Sequence, residues 1–354
     1  MKMEILENFE KMEKNTLLLS EKEEDLEKAA EILKRGGLVV FPTETVYGLG
    51  GSAENREAVA DIFRAKGRPS DNPLIVHIAE IGDVERYAKP DASFFRLAER
   101  FMPGPLTVIL PKKDILPDNV TGGLDTVAIR MPSNRTANRL ISLAGGGIAA
   151  PSANLSGKPS TTAFRYVVSD MRGRVDAIID GGDCSIGVES TVIKCDPDGI
   201  KLLRPGRITV EELREISENV VIDKAVYALL KDGERPMAPG MKYKHYAPKA
   251  QVILLTGEEE KIREFFALHS SERDVGILCF DEDLSYLYNK GGNVLSLGKR
   301  SDREAQAKRL FTYLRDMDAV GVSTIYARIP ERDGLGLAIY NRLTKAAGFT
   351  VKSL

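Results

Sequence analysis

Hydroxyl and cationic side chains recur in five short segments of this chain, each set among glycines and prolines. PTETVYGLG, residues 42–50, offers the Thr43 and Thr45 hydroxyls and the Tyr47 ring just after an apolar run. Open sheets place ligands at such strand ends; alone, the segment reads as a polar turn before a helix. KGRPSDNPLIVHI puts Lys66 and Arg68 two apart, followed by Asn72 and His77. Lysine is a point charge and arginine a bidentate fork for phosphate oxygens. Gly67, Pro69 and Pro73 fix the backbone there, which favours a phosphate site over a solvated basic loop. His77 ends an apolar run, where a lone histidine is more often a hydrogen-bonded core residue than a catalyst. APSANLSGKPSTT brings Ser152, Ser156, Ser160 and Thr161 together with Asn154, Gly157 and Lys158. Its small residues let backbone amides approach a phosphate, and its hydroxyls add donors. The chain has neither GxxxxGK[ST] nor a GxSxG elbow at Ser152, so neither a P-loop nor an acyl-enzyme serine is expected. Glu189, Ser190 and Thr191 lead into a strand in DGGDCSIGVESTVI, and Arg204 and Arg207 flank the Pro-Gly turn of LLRPGRIT. Arg130 ends a strand in VAIRMPS. Each arginine alone suits a surface salt bridge; with Lys66 and Arg68 they predict a cation-lined cavity. No pair of acids stands out for general acid–base work, and Asp183, Asp196 and Asp198 lie in turn sequences.

The elements that must position these residues follow from periodicity. Ser20 and Glu23 form a capping-box pattern ahead of a helix carrying Leu26, Ala29, Ile32 and Leu33, stopped by Gly36 and Gly37. Strands are predicted at 38–41, 74–78, 106–110, 127–130, 148–150, 177–179, 191–194 and 201–203. Helices are predicted at 56–64, 92–101, 136–144 and 163–171, with a further helical stretch over 210–231. Strands of uneven length and tight Gly-Gly turns predict a twisted mixed sheet rather than a regular doubly wound one. Pro236, Pro239 and Pro248 break the pattern. Beyond them, strands at 252–255, 275–280, 294–297 and 324–329 alternate with helices at 259–269, 302–317 and 335–347, the pattern of a small open parallel sheet. GLGLA at Gly334 is only half a dinucleotide fingerprint, better explained as a helix cap.

Composition removes several classes. With 354 residues, 43% hydrophobic and 29% charged, the chain suits two soluble domains. Cys184, Cys195 and Cys279 make no CxxC pair and share no motif with His77, His245 and His269, so no structural metal or disulfide framework is expected. Met1 to Ser20 lacks an apolar signal core, and no run is long enough to span a bilayer. A cytoplasmic protein without membrane partners is expected. The net charge of −2 restricts any RNA contact to a local surface. A double-stranded RNA or tRNA-binding module without turnover is the rival reading, since shape-based binding needs only phosphate contacts.

In order along the chain, PTETVYGLG, KGRPSDNPL, PSANLSG, ESTV and RPG resemble the YrdC-like family of threonylcarbamoyl-AMP synthases. APGMKYKHYAP and the segment after it resemble the family's two-domain branch. The resemblance implies an α/β fold: a twisted mixed open sheet in a YrdC-like catalytic domain (20–210), a helix and Pro-rich linker or lid (211–249), and a small Rossmann-like C-terminal domain (250–354). It implies a nucleotidyltransferase that makes threonylcarbamoyl-AMP and pyrophosphate from L-threonine, bicarbonate and ATP, with magnesium accompanying the ATP. A downstream tRNA threonylcarbamoyl transferase would consume the product. By resemblance, Lys66 and Arg68 are catalytic. Arg68, Asn72, Thr126, Ser152, Asn154, Ser160 and Arg204 would face ATP. Thr45, His77, Arg130, Ala150 and Ser190 would hold threonine. Tyr243, His245 and Tyr246 would belong to the lid, and no protein side chain is assigned to metal. Ala238 and Lys244 depart from the family pattern, where serine and arginine are common; a lysine cannot make bidentate contacts. A hydrogenase-maturation protein containing a YrdC-like unit would also carry paired CxxC motifs, which are absent here.

Overall fold

The computed structural model describes residues 14–70, 72–228, 246–287 and 292–354. Eleven strands form one mixed sheet: Leu17–Leu19 (β1), Val39–Phe41 (β2), Gly48–Ser52 (β3), Ile75–His77 (β4), Leu106–Pro111 (β5), Thr126–Arg130 (β6), Ile148–Ala150 (β7), Ala177–Ile179 (β8), Thr191–Asp196 (β9), Gly199–Arg204 (β10) and Val220–Ile222 (β11). Their order is β1-β8-β2-β3-β7-β4-β6-β5-β9-β10-β11. Parallel and antiparallel pairs alternate irregularly: β4 runs parallel to β6 and antiparallel to β7, while β5 runs parallel to β9. Successive strand residues face opposite sides. Val39 and Phe41 therefore pack with the helices Glu23–Lys34 and Arg135–Ala144, while Val40 packs with the helices Arg56–Lys66 and Ala92–Phe101.

A second sheet is wholly parallel. Gln251–Thr256 (β12), Val275–Cys279 (β13), Asn293–Ser296 (β14), Thr324–Arg328 (β15) and Val351–Ser353 (β16) lie in the order β14-β13-β15-β12-β16. Its helices are Glu259–His269, Arg303–Val320 and Gly336–Ala346. This is the mixed sheet plus Rossmann-like α/β unit that the sequence predicts.

Three local expectations differ. The stretch from Val210 is not one helix: it is helical over Val210–Arg214, then forms β11 and a 3-10 turn at Lys224–Val226, and 229–231 lie outside the described residues. Val220, Val221 and Ile222 are β-branched and pair in parallel with β10, where such side chains fit a pleated surface. Ser20 does not box with Glu23. Its hydroxyl and amide both donate to Asp25, the helix begins after Lys22 without a side-chain cap, and Glu23 pairs with Arg139. GLGGS forms β3, a strand no propensity rule predicts. A Cβ at Gly48 would lie 2.9 Å from Phe41 Cζ, and one at Gly50 would lie 2.7 Å from Ile148 Cγ2. Bare backbone lets that strand lie against Phe41.

The two sheets meet through helices Arg303–Val320 and Gly336–Ala346. Arg315 donates to the Pro159 carbonyl and to Asp170, and Arg342 donates to Glu189 and to the Pro205 carbonyl. At the centre of this contact, Gly187 takes φ +88°, and a Cβ there would lie 2.4 Å from Lys308 Cα.

Candidate active site

The site assembles where three loops cross the ends of the central strands. Asn55 caps the helix Arg56–Lys66 by accepting from the Glu57 and Ala58 amides, worth about 1 kcal/mol. Gly67 closes it in the left-handed conformation at φ 64°, so Lys66 is the last helical residue and Arg68 lies past the turn. Residues 47–49 pair with residues 151–153: Leu49 donates to the Pro151 carbonyl, Ala153 to that of Tyr47, and Gly48 bridges Ser152. Parallel register sets His77 beside Arg130 at the ends of β4 and β6, and Ile148 of β7 pairs with His77 from the other side.

These elements enclose one cavity. Lys66, Arg68, His77, Arg130, Ala150, Ser152, Asn154, Ser160, Ser190, Arg204 and Tyr246 of the sequence-predicted set line it, with Thr43, Tyr47 and Glu189. Three expected residues do not reach that wall. Thr45 is buried behind it, its hydroxyl 2.9 Å from that of Thr43 and its carbonyl accepting from the Gly187 amide. Thr126 stands at the opposite end of β6 from Arg130, paired with Pro111. Asn72 is buried, with its carbonyl 3.4 Å from Arg68 Nη2, and its side-chain amide makes no hydrogen bond among the described residues. Of the lid segment, Tyr243, His245, Ala238 and Lys244 lie outside the described residues. Tyr246 is inside them: it takes φ 66°, is buried, and stacks at a tilt on Phe311, centroids 5.2 Å apart.

Several cations are already engaged. The Lys66 amine donates to the Ser152 and Asn154 carbonyls at 2.5 and 2.7 Å. Burial first, then the Arg68 charge, holds its pKa well below the ordinary lysine value. Lys66 is thus a strut under the serine-rich loop as well as part of the wall. Arg130 holds the buried Glu44 carboxylate at 2.7 Å, a partner that lies within PTETVYG but attracts no notice in the sequence. Arg204 reaches the Ser190 carbonyl at 3.1 Å and its hydroxyl at 3.0 Å, and burial lowers its pKa to about 10. Ser190 also bonds Thr107 at 2.7 Å. Arg207 instead turns outward to Glu212 and Glu304.

Two polar groups beside the cavity escape sequence reasoning: Arg342, and Glu189 in its part as acceptor. Glu189 accepts from Ser160 at 2.5 Å and from Arg342 at 2.7 Å. Every residue of the helix Gly336–Ala346 is buried. Its sequence, apolar on all sides around Asn341, Arg342 and Lys345, is the one signal that these polar groups have internal partners.

His77 is buried, its Nδ1 3.2 Å from the Ile75 carbonyl, and burial followed by the Arg130 charge lowers its pKa from 6.5 to about 3. The neutral ring is the form the fold accommodates. Its stabilising contribution is complete above pH 6.5 and declines as pH falls towards 3. Urea unfolding of wild type and His77→Gln across pH 4–8 is expected to show the wild type losing ground to the variant below about pH 6.5. Parallel curves would place the ring's proton uptake elsewhere.

Among the described residues no helix is long and apolar enough to cross a membrane, and no group of three or more His, Cys, Asp or Glu could hold a metal ion.

Residues 31–206 match the family described as Telomere recombination, and residues 208–348 match the family described as Threonylcarbamoyl-AMP synthase, C-terminal domain. A threonylcarbamoyl-AMP synthase of Pyrococcus abyssi is 47% identical, covering 91% of this chain and 94% of its own. One of Bacillus subtilis is 46% identical, covering 93% and 95%. The crystal structure of P. abyssi Sua5 complexed with L-threonine superposes with a TM-score of 0.87 at 43% identity, covering 96% of this chain and 99% of that one.

Proposed function

This chain belongs to the threonylcarbamoyl-AMP synthase family, and from that membership we propose how its cavity performs the synthesis of threonylcarbamoyl-AMP. The substrates are L-threonine, bicarbonate and ATP; the products are threonylcarbamoyl-AMP, pyrophosphate and water. The observation that carries this reading is the convergence of Lys66, Arg68, Arg130 and Arg204 with the Ser152, Ser160 and Ser190 hydroxyls on one cavity. A triphosphate brings about four negative charges to such a wall.

Arg68 and Arg204 face the phosphates, with Ser152 and Asn154 on the loop that Lys66 braces. Arg130 takes the threonine carboxylate beside His77, Ala150 and Ser190. Because Arg130 already holds Glu44, the threonine carboxylate shares or displaces that partner. The threonine amine attacks bicarbonate, or carbon dioxide released from it, to give a carbamate and water. A carbamate oxygen then attacks the α-phosphorus, and the bond to pyrophosphate breaks. This displacement transfers the adenylyl group to the carbamate, the reaction of a nucleotidyltransferase, and the wall contributes alignment and charge stabilisation. Magnesium enters on the triphosphate as part of the substrate. Glu189 on the cavity wall and Glu44 behind Arg130 are each taken up by an arginine, which suits an ion carried in by phosphate oxygens better than one held by the protein. A cytoplasmic tRNA threonylcarbamoyl transferase is the expected recipient of the product.

Pyrophosphate release from ATP, measured with threonine and bicarbonate each omitted in turn, tests this reading. Release that requires both is expected. Release indifferent to threonine would overturn it, and RNA titrations at several salt concentrations would then examine the RNA-binding reading.

A further inference from the structure

Glu189 and Arg342 form an ion pair in an expensive place. Arg342 is completely buried and Glu189 nearly so, yet one lies on the helix Gly336–Ala346 and the other in the loop before β9, 153 residues apart. An apolar pair of similar volume would stabilise the interface as well or better. Glu189 also lies on the cavity wall, so the pair has a face toward the ligand.

Hydrogen bonds hold both partners of the pair, and the Tyr246 hydroxyl also bonds Glu189. One Glu189 oxygen accepts from Ser160 at 2.5 Å and the other from Arg342 Nε at 2.7 Å. Arg342 Nη1 donates to Asn341 Oδ1 at 2.7 Å and Nη2 to the Pro205 carbonyl at 3.0 Å, and Asn341 Nδ2 donates to the Val226 carbonyl at 2.6 Å. The guanidinium fork is therefore pinned at both ends. An ionised carboxylate only accepts, and a serine has one proton to give. With that proton committed to Glu189, the Ser160 oxygen has lone pairs left for the cavity.

We propose that Arg342, supplied by the C-terminal domain, is a positioning residue of the synthase site: it holds Glu189 against Ser160 and so presents the Ser160 oxygen to the ligand as an acceptor. This rests on the cavity being the site of threonylcarbamoyl-AMP formation. Its consequence is that Ser160 meets a hydrogen-bond donor of a substrate, a ribose hydroxyl, the adenine amine or the threonine ammonium, and not a phosphate oxygen. The second domain then sets the donor–acceptor polarity of the catalytic pocket.

Glu189 is faced by Arg342 and Lys345 from the helix Gly336–Ala346, by Arg204 from β10, by Tyr246, and at longer range by Lys66. Burial alone would raise its pKa; the Arg342 and Arg204 charges and the bonds from Ser160 and Arg342 outweigh that and hold it at about 2. Without Arg342, burial gains ground. The carboxyl then takes up a proton at higher pH, and Ser160 loses its fixed acceptor.

The test measures threonine- and bicarbonate-dependent pyrophosphate release, from pH 6 to 8, for wild type, Arg342→Met, Arg342→Lys and the double variant Glu189→Gln/Arg342→Met. Arg342→Met is expected to lower kcat/KM about 100-fold, the scale of a misplaced catalytic geometry, with a deficit that grows as pH falls. Arg342→Lys is expected to recover part of the rate. A KM rise for ATP places the donor on the nucleotide, and one for threonine places it on the ammonium. The double variant, which leaves no orphaned charge, is expected to stay slow with a flat pH dependence, and it decides the matter if Arg342→Met does not fold. A double variant as fast as wild type would reduce the pair to packing and overturn the proposal, as would wild-type kinetics in Arg342→Met. Wild type that releases pyrophosphate without needing threonine would instead overturn the reading on which the proposal rests.

Discussion

Replacing Arg68 with alanine is expected to lower threonine-dependent pyrophosphate release about 1,000-fold, in the range reported for arginines that stabilise charge in phosphoryl transfer. Its position explains why folding should be spared. Arg68 lies beyond the left-handed Gly67 and its guanidinium is part of the cavity wall. Among its contacts are a 3.4 Å approach to the Asn72 carbonyl and a 5.8 Å approach to the Phe63 ring. Loss of such contacts costs about 0.5 kcal/mol or less. The backbone bond from its amide to the Phe63 carbonyl, 3.0 Å long, is kept by alanine. Steady-state kinetics alongside thermal melting measures both quantities. Near-normal turnover would remove Arg68 from the mechanism, and a large fall in melting temperature would make it a structural residue.

Arg130→Met is expected to fail in both respects. The Arg130 side chain is 4% exposed and that of Glu44 8%, at 2.7 Å. Glu44 Oε2 has no hydrogen-bond partner among the described residues, so loss of Arg130 leaves the buried carboxylate without compensation. Breaking a buried pair by removing one partner costs about 3–5 kcal/mol. Urea unfolding should show that loss, and adding Glu44→Gln should return part of it because the orphaned charge disappears. Threonine affinity should not return, since the carboxylate fork is still missing. A double variant that regained threonine binding would move the carboxylate site away from Arg130.

The short motifs made much of this site legible before any fold was known. Hydroxyls and cations set among glycine and proline are local signals, and Lys66, Arg68, Ser152, Asn154, Ser160, Ser190 and Arg204 all reach the cavity wall. What escaped depends on partners distant in the chain. Arg342 resembles any helical arginine until its contact with Glu189, 153 residues away, is seen. Glu44 needs Arg130 to give it meaning. Thr45 and Thr126 have suitable side chains, but the Thr43 turn and strand register leave them off the cavity wall. In the fold, regular hydrophobic spacing located the helices Ala92–Phe101 and Glu259–His269 to the residue. β3 was hidden because glycines carry no hydrophobic pattern, and β11 because Val220–Ile222 follows a short helix and finds its partner β10 only through the fold.

Gly187 bears on how this enzyme can open. Where it meets Lys308, backbone lies directly on backbone, with no flexible side chain between them to take up slack. Flanking that point, Arg342–Glu189 and Arg315–Asp170 span the same junction. Parting the domains would expose two buried carboxylates and two guanidinium groups at once. Built this way, the junction resists opening as a hinge, which favours substrate exchange through the cavity mouth over parting of the domains.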